Sequence, residues 1–214
     1  MRKLVLLTAF ILACASVSLA QSTDDYNKVE FAAGYSHARV DTGVDDPDFE
    51  DDFGDFLRDR RDFNGFDTSI TGNLTRYFGL KANFSGHYKS DSFTDGVDTV
   101  NTRERIYNFL GGVQVKDNSK EARVKPFGHF LAGGAHQSIR FNSPGLTNTF
   151  DLDDTSFALK VGGGIDVRVH PRVDLRLIEF NYNPIFVGDR NFEGETFQGE
   201  TQHNFTIGFG IAIH

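Results

Sequence analysis

Apolar and polar residues change places at every step along much of this chain, a period that an extended strand with two unlike faces satisfies. The last segment shows it most plainly: Phe205, Ile207, Phe209, Ile211 and Ile213 alternate with Asn204, Thr206, Gly208, Gly210 and Ala212. A second sets Phe157, Leu159, Val161, Gly163, Ile165, Val167 and Val169 against Ser156, Ala158, Lys160, Gly162, Gly164, Asp166 and Arg168. A third sets Leu80, Ala82, Phe84, Gly86 and Tyr88 against Lys81, Asn83, Ser85, His87 and Lys89. No window sustains a helical period. The same rule predicts eight strands, near 28–39, 64–77, 79–90, 104–116, 123–140, 155–169, 172–186 and 203–213. Two of them are irregular. Pro126 lacks a ladder donor and predicts a bulge within 123–140, and the apolar phase slips by one at Leu177-Ile178-Glu179, predicting another.

The connections alternate in length. Short ones fall at Tyr77-Phe78-Gly79, around Asp117-Asn118-Ser119, and at His170-Pro171-Arg172. Longer ones span about 40–63, 91–103, 141–154 and 187–202. Short turns at one end and long loops at the other describe a membrane barrel with periplasmic turns and extracellular loops. Strand length agrees, because a tilted spanning strand needs about 9–11 residues and soluble strands cluster near 5–6. The second face mixes Gly, Ala, Ser, Asn and scattered charges, which suits a narrow polar interior with the apolar face turned to lipid. The competing architecture is a soluble lipocalin-like barrel, with its apolar face inward.

The first twenty residues stand apart from this pattern. Met1 is followed by Arg2 and Lys3, then an apolar run from Leu4 to Ala15, then Ser18-Leu19-Ala20 before Gln21. A basic start, a short apolar core and a small-x-small cut describe a secretory signal peptide, too short for a spanning helix. The expected organisation is a leader at 1–20 and one barrel domain at 21–214. Cys14 is the one cysteine and lies in the leader, so cleavage after Ala20 leaves no thiol for disulfides, catalysis or metal. Ile11-Leu12-Ala13-Cys14 also fits a lipoprotein cut, which stays open. Loss of Arg2 and Lys3 takes the formal charge from −8 to about −10. That acidity argues against nucleic acid, which requires a basic patch.

The runs Val124-Lys125-Pro126-Phe127-Gly128-His129-Phe130-Leu131-Ala132-Gly133-Gly134 and Phe157 to Asp166 resemble strands of the small outer-membrane β-barrel superfamily. Val173 to Tyr182 and the closing strand fit the same pattern. This superfamily includes the membrane domain of OmpA and the OmpX/Ail group, and the resemblance covers 26–214. It implies an all-β, eight-stranded, up-and-down antiparallel transmembrane β-barrel in the bacterial outer membrane. It also implies periplasmic termini and contact with outer-membrane lipid and, during biogenesis, with the barrel-assembly machinery. Family members usually close on an aromatic residue; here the alternating set ends at Ile213 and His214 follows. OmpA-type chains continue into a peptidoglycan-binding domain, whereas this sequence ends with the barrel.

Candidate chemistry is sparse. The stretch from Asp41 to Asp62 carries Asp45, Asp46, Asp48, Glu50, Asp51, Asp52 and Asp55, interleaved with Phe49, Phe53 and Phe56. It lacks EF-hand spacing, so it reads as a solvated loop, with an extracellular ligand at 40–63 as the sharper alternative. Lys81, His87, Lys89, Lys160, Asp166, Arg168, Arg176 and Glu179 take the inward parity. An eight-stranded barrel has room there for side chains alone, and buried charges must pair, so these predict an ion-pair network. The rivals are a pore lining or an acid–base site of His87 with Asp166. His136-Gln137-Ser138 resembles the His-x-Ser of outer-membrane lipid A deacylases, without their wider motif and without an identifiable carboxylate. His129, His170, His203 and His214 lack metal-ligand spacing. Gly162-Gly163-Gly164 sits mid-strand and opens no helix, so it reads as relief for a tight wall or a facing side chain, not a phosphate loop. Asn73, Asn83 and Asn204 match the glycosylation pattern but fall on inward parity. These readings assign no catalytic, cofactor-binding or metal residue. They lead to a monomeric, non-enzymatic surface protein acting in adhesion or envelope integrity, with a lipid-modifying enzyme and a narrow channel as alternatives.

Overall fold

The computed structural model describes residues 25–41, 60–95, 98–142, 150–188, 190–192, 195–197, 199 and 201–214. The leader at 1–20 with Cys14, and most of the acidic stretch between Asp41 and Asp62, lie outside the described residues. Eight long strands are present: β1 Val29–Val40, β2 Arg61–Asn73, β3 Phe78–Asp95, β4 Asp98–Lys116, β5 Val124–Asn142, β6 Phe150–His170, β7 Val173–Phe186 and β10 Thr201–Ile213. Two three-residue strands, β8 Arg190–Phe192 and β9 Glu195–Phe197, form a separate hairpin within the last loop. Each long strand pairs antiparallel with its neighbour in sequence. The ring closes where β1 meets β10, with Phe31 opposite Ile213 and Arg39 opposite Phe205.

Orientation of the two faces settles the choice between a soluble and a membrane barrel. On the outer wall Phe109 is 59% exposed, Phe180 54% and Phe209 60%; inside, Lys125 and Asp166 are 0% exposed and Lys160 1%. An apolar outside around a charged inside is stable only where lipid is the solvent. Pairing all the way round leaves no open sheet edge in the hydrocarbon region, where unpaired backbone groups cost several kcal/mol each.

The strands reach beyond the predicted ends on the loop side. β3 and β4 stay paired to Asp95 opposite Asp98, and β5 and β6 to Phe141 opposite Phe150, so much of the expected loops 91–103 and 141–154 is hairpin. Above the membrane both faces of a strand meet water. Alternation then fades while the backbone ladder continues.

The bulge predicted at Leu177-Ile178-Glu179 is present. Ile165 faces Ile178 while Asp166 faces Arg176, and across β7 Gly208 faces Glu179 while Gly210 faces Arg176. The inserted residue puts Leu177 and Ile178 both outward and returns Arg176 and Glu179 both inward. The bulge expected from Pro126 is absent: β5 holds register against β6, with Pro126 opposite Ile165. The last β4 pair is Lys116 with Phe127, so Pro126 lies one step past that ladder, where a missing donor costs nothing. A second irregularity near the end of β6, between Arg168 and His170, was not foreseen.

The short turns are tied together. Thr75 Oγ1 accepts from the amides of Tyr77 and Phe78, and Arg76 donates from Nε and Nη2 to the Asp117 carboxylate at 2.9 and 3.0 Å. That hydrogen-bonded guanidinium holds the Asp117 carboxyl below the usual aspartate range.

Within the glycine run, a Cβ on Gly164 would lie 2.1 Å from the Ile178 carbonyl oxygen and 2.9 Å from Phe127 Cζ. The glycine therefore lets β6 close on β7 and admits the Phe127 ring to the lumen. Gly164→Val is expected to abolish the folded, heat-modifiable band on denaturing gels. A variant shifting on boiling like the wild type would show that this close approach is dispensable.

Candidate functional site

Among the described residues, the lumen gathers most of the buried charged side chains, and it is built in layers. At the turn end, Lys116 Nζ donates to Glu30 Oε2 at 2.5 Å and to Asp166 Oδ2 at 2.6 Å. Arg176 clasps Asp166 with Nε and Nη2 at 2.9 and 3.0 Å and reaches Glu179 Oε2 with Nη1 at 2.7 Å. Lys125 donates to Asp174 Oδ2 at 2.7 Å, and Arg168 Nε stands 3.7 Å from Asp174 Oδ1. Lys116, Lys125, Arg168 and Arg176 thus meet Glu30, Asp166, Asp174 and Glu179 charge for charge. The Phe127 ring lies among them, with the Arg176 guanidinium 4.3 Å from its centroid. Pairing of this kind is what lets ions be buried at all.

Further in, Lys160 bridges Asp67 at 2.9 Å and Asn83 Oδ1 at 2.8 Å, and Lys81 Nζ lies 3.3 Å from His129 Nδ1. Toward the loops the character changes. Ala38, Val40, Phe63, Ile106, Leu110, Leu131, Ala135, Ala158 and Ile185 form a buried apolar plug inside the barrel. The expectation of a polar interior holds for the turn half, and in the loop half polar residues share the interior with this apolar cluster. There the apolar cluster sits among buried polar side chains such as Ser36, Ser85, His87 and Asn108, because a narrow lumen sealed from water rewards close packing as any core does. Above the plug, Arg61 bonds Glu104 and stands 3.2 Å from Asp91 Oδ2.

The residues singled out from sequence are placed as follows. Lys81, Lys160, Asp166, Arg176 and Glu179 join the network; Lys89 pairs with Asp91 at 3.4 Å near the loop rim. His87 and Asp166 are not brought together: His87 Nε2 lies 2.9 Å from Ser36 Oγ, while Asp166 is held by Lys116 and Arg176. His136 and Ser138 share the outward wall of β5, but His136 Nδ1 lies 2.9 Å from Thr155 Oγ1. No hydrogen bond joins His136 to Ser138 among the described residues, and Asp153 stands opposite Ser138. Asn73, Asn83 and Asn204 are buried in the lumen. Glu30, Asp67, Lys116, Lys125 and Asp174 were missed; the inward parity of their strands was the signal that marked them.

Glu30, Asp174 and His214 each present one ligand-type atom within 4.8 Å of the others. The carboxylates already face Lys116, Lys125, Arg168 and Arg176, so a divalent ion would add uncompensated charge to a balanced cluster.

Breaking a buried pair from one side is costly. Lys125→Met, which removes the lysine hydrogen bond to Asp174 and leaves it only the more distant Arg168, is expected to lose about 3 kcal/mol in urea unfolding from lipid vesicles. The double variant Lys125→Met/Asp174→Leu is expected to lose less. Equal losses would mean that pairing contributes nothing at this position.

The profile of the outer membrane protein beta-barrel domain family matches residues 5–212. No curated protein matches the sequence. Among solved structures, the chain is similar to Ail of Yersinia pestis, solved in complex with the heparin analogue sucrose octasulfate. That match has a TM-score of 0.54 and 14% identity, covering 86% of this chain and 97% of Ail. It is also similar to Neisserial surface protein A, with a TM-score of 0.51 and 11% identity, covering 89% and 99%. The outer membrane protease OmpT of Escherichia coli overlaps at a TM-score of 0.47 and 12% identity, covering 90% and 99%. At such identities the likeness is one of fold. With the family profile spanning nearly the whole chain and the lipid-facing wall described above, this protein belongs to the outer membrane protein β-barrel domain family and resides in the bacterial outer membrane.

Proposed function

We propose that the barrel is a monomeric, non-enzymatic scaffold that displays its loops at the cell surface for adhesion or envelope integrity. The observation that carries this reading is the filled lumen: among the described residues an apolar plug lies above a network in which Lys116 meets Glu30 and Asp166, and Arg176 meets Asp166 and Glu179. Function then falls to the loop end, where rigid scaffolds commonly place binding residues. The acidic stretch 40–63, with its interleaved phenylalanines, is the segment whose composition best fits a partner, one with basic groups and an apolar patch. Export through a leader cut after Ala20 and insertion by the barrel-assembly machinery complete the proposal.

A second reading rests on Asp153. It lies across from Ser138 on the outward wall, two residues diagonal to His136, so a carboxylate, an imidazole and a hydroxyl share one lipid-facing patch near the loop rim. Catalysis would require His136 to leave Thr155 for Ser138.

Two measurements separate these readings. Replacing residues 42–59 with a short Gly/Ser linker is expected to preserve heat-modifiability and abolish binding of whole cells to host or abiotic surfaces. Unchanged binding would remove the loop-display reading. Planar bilayers are expected to show no conductance steps, and a lipid A profile is expected to be the same with wild type and with Ser138→Ala. An acyl chain lost only with the wild type would establish the enzymatic reading instead.

A further inference from the structure

We propose that the lumen holds one small monovalent anion, of the halide class, between Lys81, Gln114 and His129. The ion belongs to the interior of the barrel, whatever the loops bind.

The ion pairs of the lumen leave one cation over. Lys116, Lys125, Arg168 and Arg176 meet Glu30, Asp166, Asp174 and Glu179, and Lys160 meets Asp67. Lys81 is buried as deeply, at 2% exposure, and makes no ion pair with a carboxylate among the described residues. Its hydrogen-bond partner there is a ring nitrogen, His129 Nδ1, at 3.3 Å. An ammonium only donates, so Nδ1 accepts and the imidazole proton sits on Nε2. The Phe127 ring, 5.5 Å from Lys81 Nζ to its centroid, answers the charge only in part.

Donors without partners stand beside this lysine. Register sets Asn73, Gly79, Gln114 and His129 in one row across β2 to β5, and all four are buried on the inward face. Gln114 is 1% exposed, and neither its Nε2 nor its Oε1 has a hydrogen-bond partner; His129 Nε2 has none either. Glycine brings the lysine to this row. Lys81 stands opposite Gly112, where a Cβ would lie 2.1 Å from the Phe130 carbonyl oxygen. With no side chain there, the lysine stem crosses β4 and reaches His129 on β5, next to Gln114. Lys81 Nζ, Gln114 Nε2 and His129 Nε2 are then donors on three adjacent strands, around one positive charge.

This donor set selects the ligand. One surplus charge calls for a monovalent ion, since a divalent anion would replace one imbalance with another. A lumen that side chains nearly fill favours a monatomic ion over a carboxylate or phosphate. Glu179 is the acid nearest the imidazole, 4.0 Å from His129 Nε2. It is already held by Arg176 at 2.7 Å and by Asn181 Nδ2 at 3.2 Å. Water could satisfy the Gln114 amide but would leave the lysine charge unanswered.

The test uses the full barrel in detergent, refolded from urea in sodium bromide or in sodium gluconate, so that an ion enclosed on closure is exchanged. Crystals of the bromide sample are expected to show one anomalous peak in the lumen, within hydrogen-bond reach of Lys81 Nζ and Gln114 Nε2. Lys81→Met removes this peak and leaves any surface bromide in place. The wild type is expected to melt higher in bromide than in gluconate at equal ionic strength. Lys81→Met abolishes that difference and is no less stable than the wild type in gluconate, because it buries no surplus charge. Gln114→Leu keeps the charge and is expected to raise the bromide concentration needed for the same rise about tenfold. It carries the comparison where Lys81→Met gives no heat-modifiable band. A wild-type lumen with no anomalous peak, as water there would give, overturns the proposal. So does a peak that persists in Lys81→Met, a wild-type melting temperature indifferent to halide, or an undiminished bromide response in Gln114→Leu.

Discussion

Everything in this molecule depends on closing the backbone hydrogen-bond ladder in a medium that offers no hydrogen bonds. In hydrocarbon, an open sheet edge would leave a row of amides and carbonyls unpaired. The pairing of β1 with β10 removes that edge. Closure with eight strands then fixes the diameter, and the diameter leaves a lumen about wide enough for side chains to fill. The bulge in β7 and the glycine at 164 follow from the same demand, since each lets strands curve together without exposing a polar group to lipid.

Turning the apolar face outward leaves the inside to be filled without a conventional hydrophobic core. The protein does this in two ways. Near the turns it uses ion pairs in which each carboxylate meets a lysine or arginine, because an isolated charge there would be far too costly. Near the loops it uses Phe63, Ile106, Leu110, Leu131 and Ile185, which pack as in a soluble interior. The lumen is therefore packed at both ends, by ion pairs near the turns and by apolar side chains near the loops.

The outer wall is itself differentiated. Most of it is the generic apolar band of an outer-membrane barrel, bounded by tyrosines. At the loop-side rim the wall turns polar, with Arg103 opposite Arg140, Arg140 opposite Asp151 and Ser138 opposite Asp153.

The sequence by itself determined the strands within the membrane, their faces, the alternation of turns and loops, and the slip at Leu177-Ile178, because a period of two records which side of a strand meets lipid. It could not mark where β3 to β6 end, since above the membrane both faces are wet and the period vanishes. It missed Glu30, Lys116, Lys125 and Asp174 as partners, although their parity was readable, because pairing depends on which strands lie across the lumen. It also placed the aliphatic residues at the lipid face and so overlooked the plug. Only closure of the barrel decided that Lys116 would stand between Glu30 and Asp166, and that Arg103 would face Arg140. These contacts join residues far apart in the chain, and their distances are set by register and diameter, quantities that no local pattern carries.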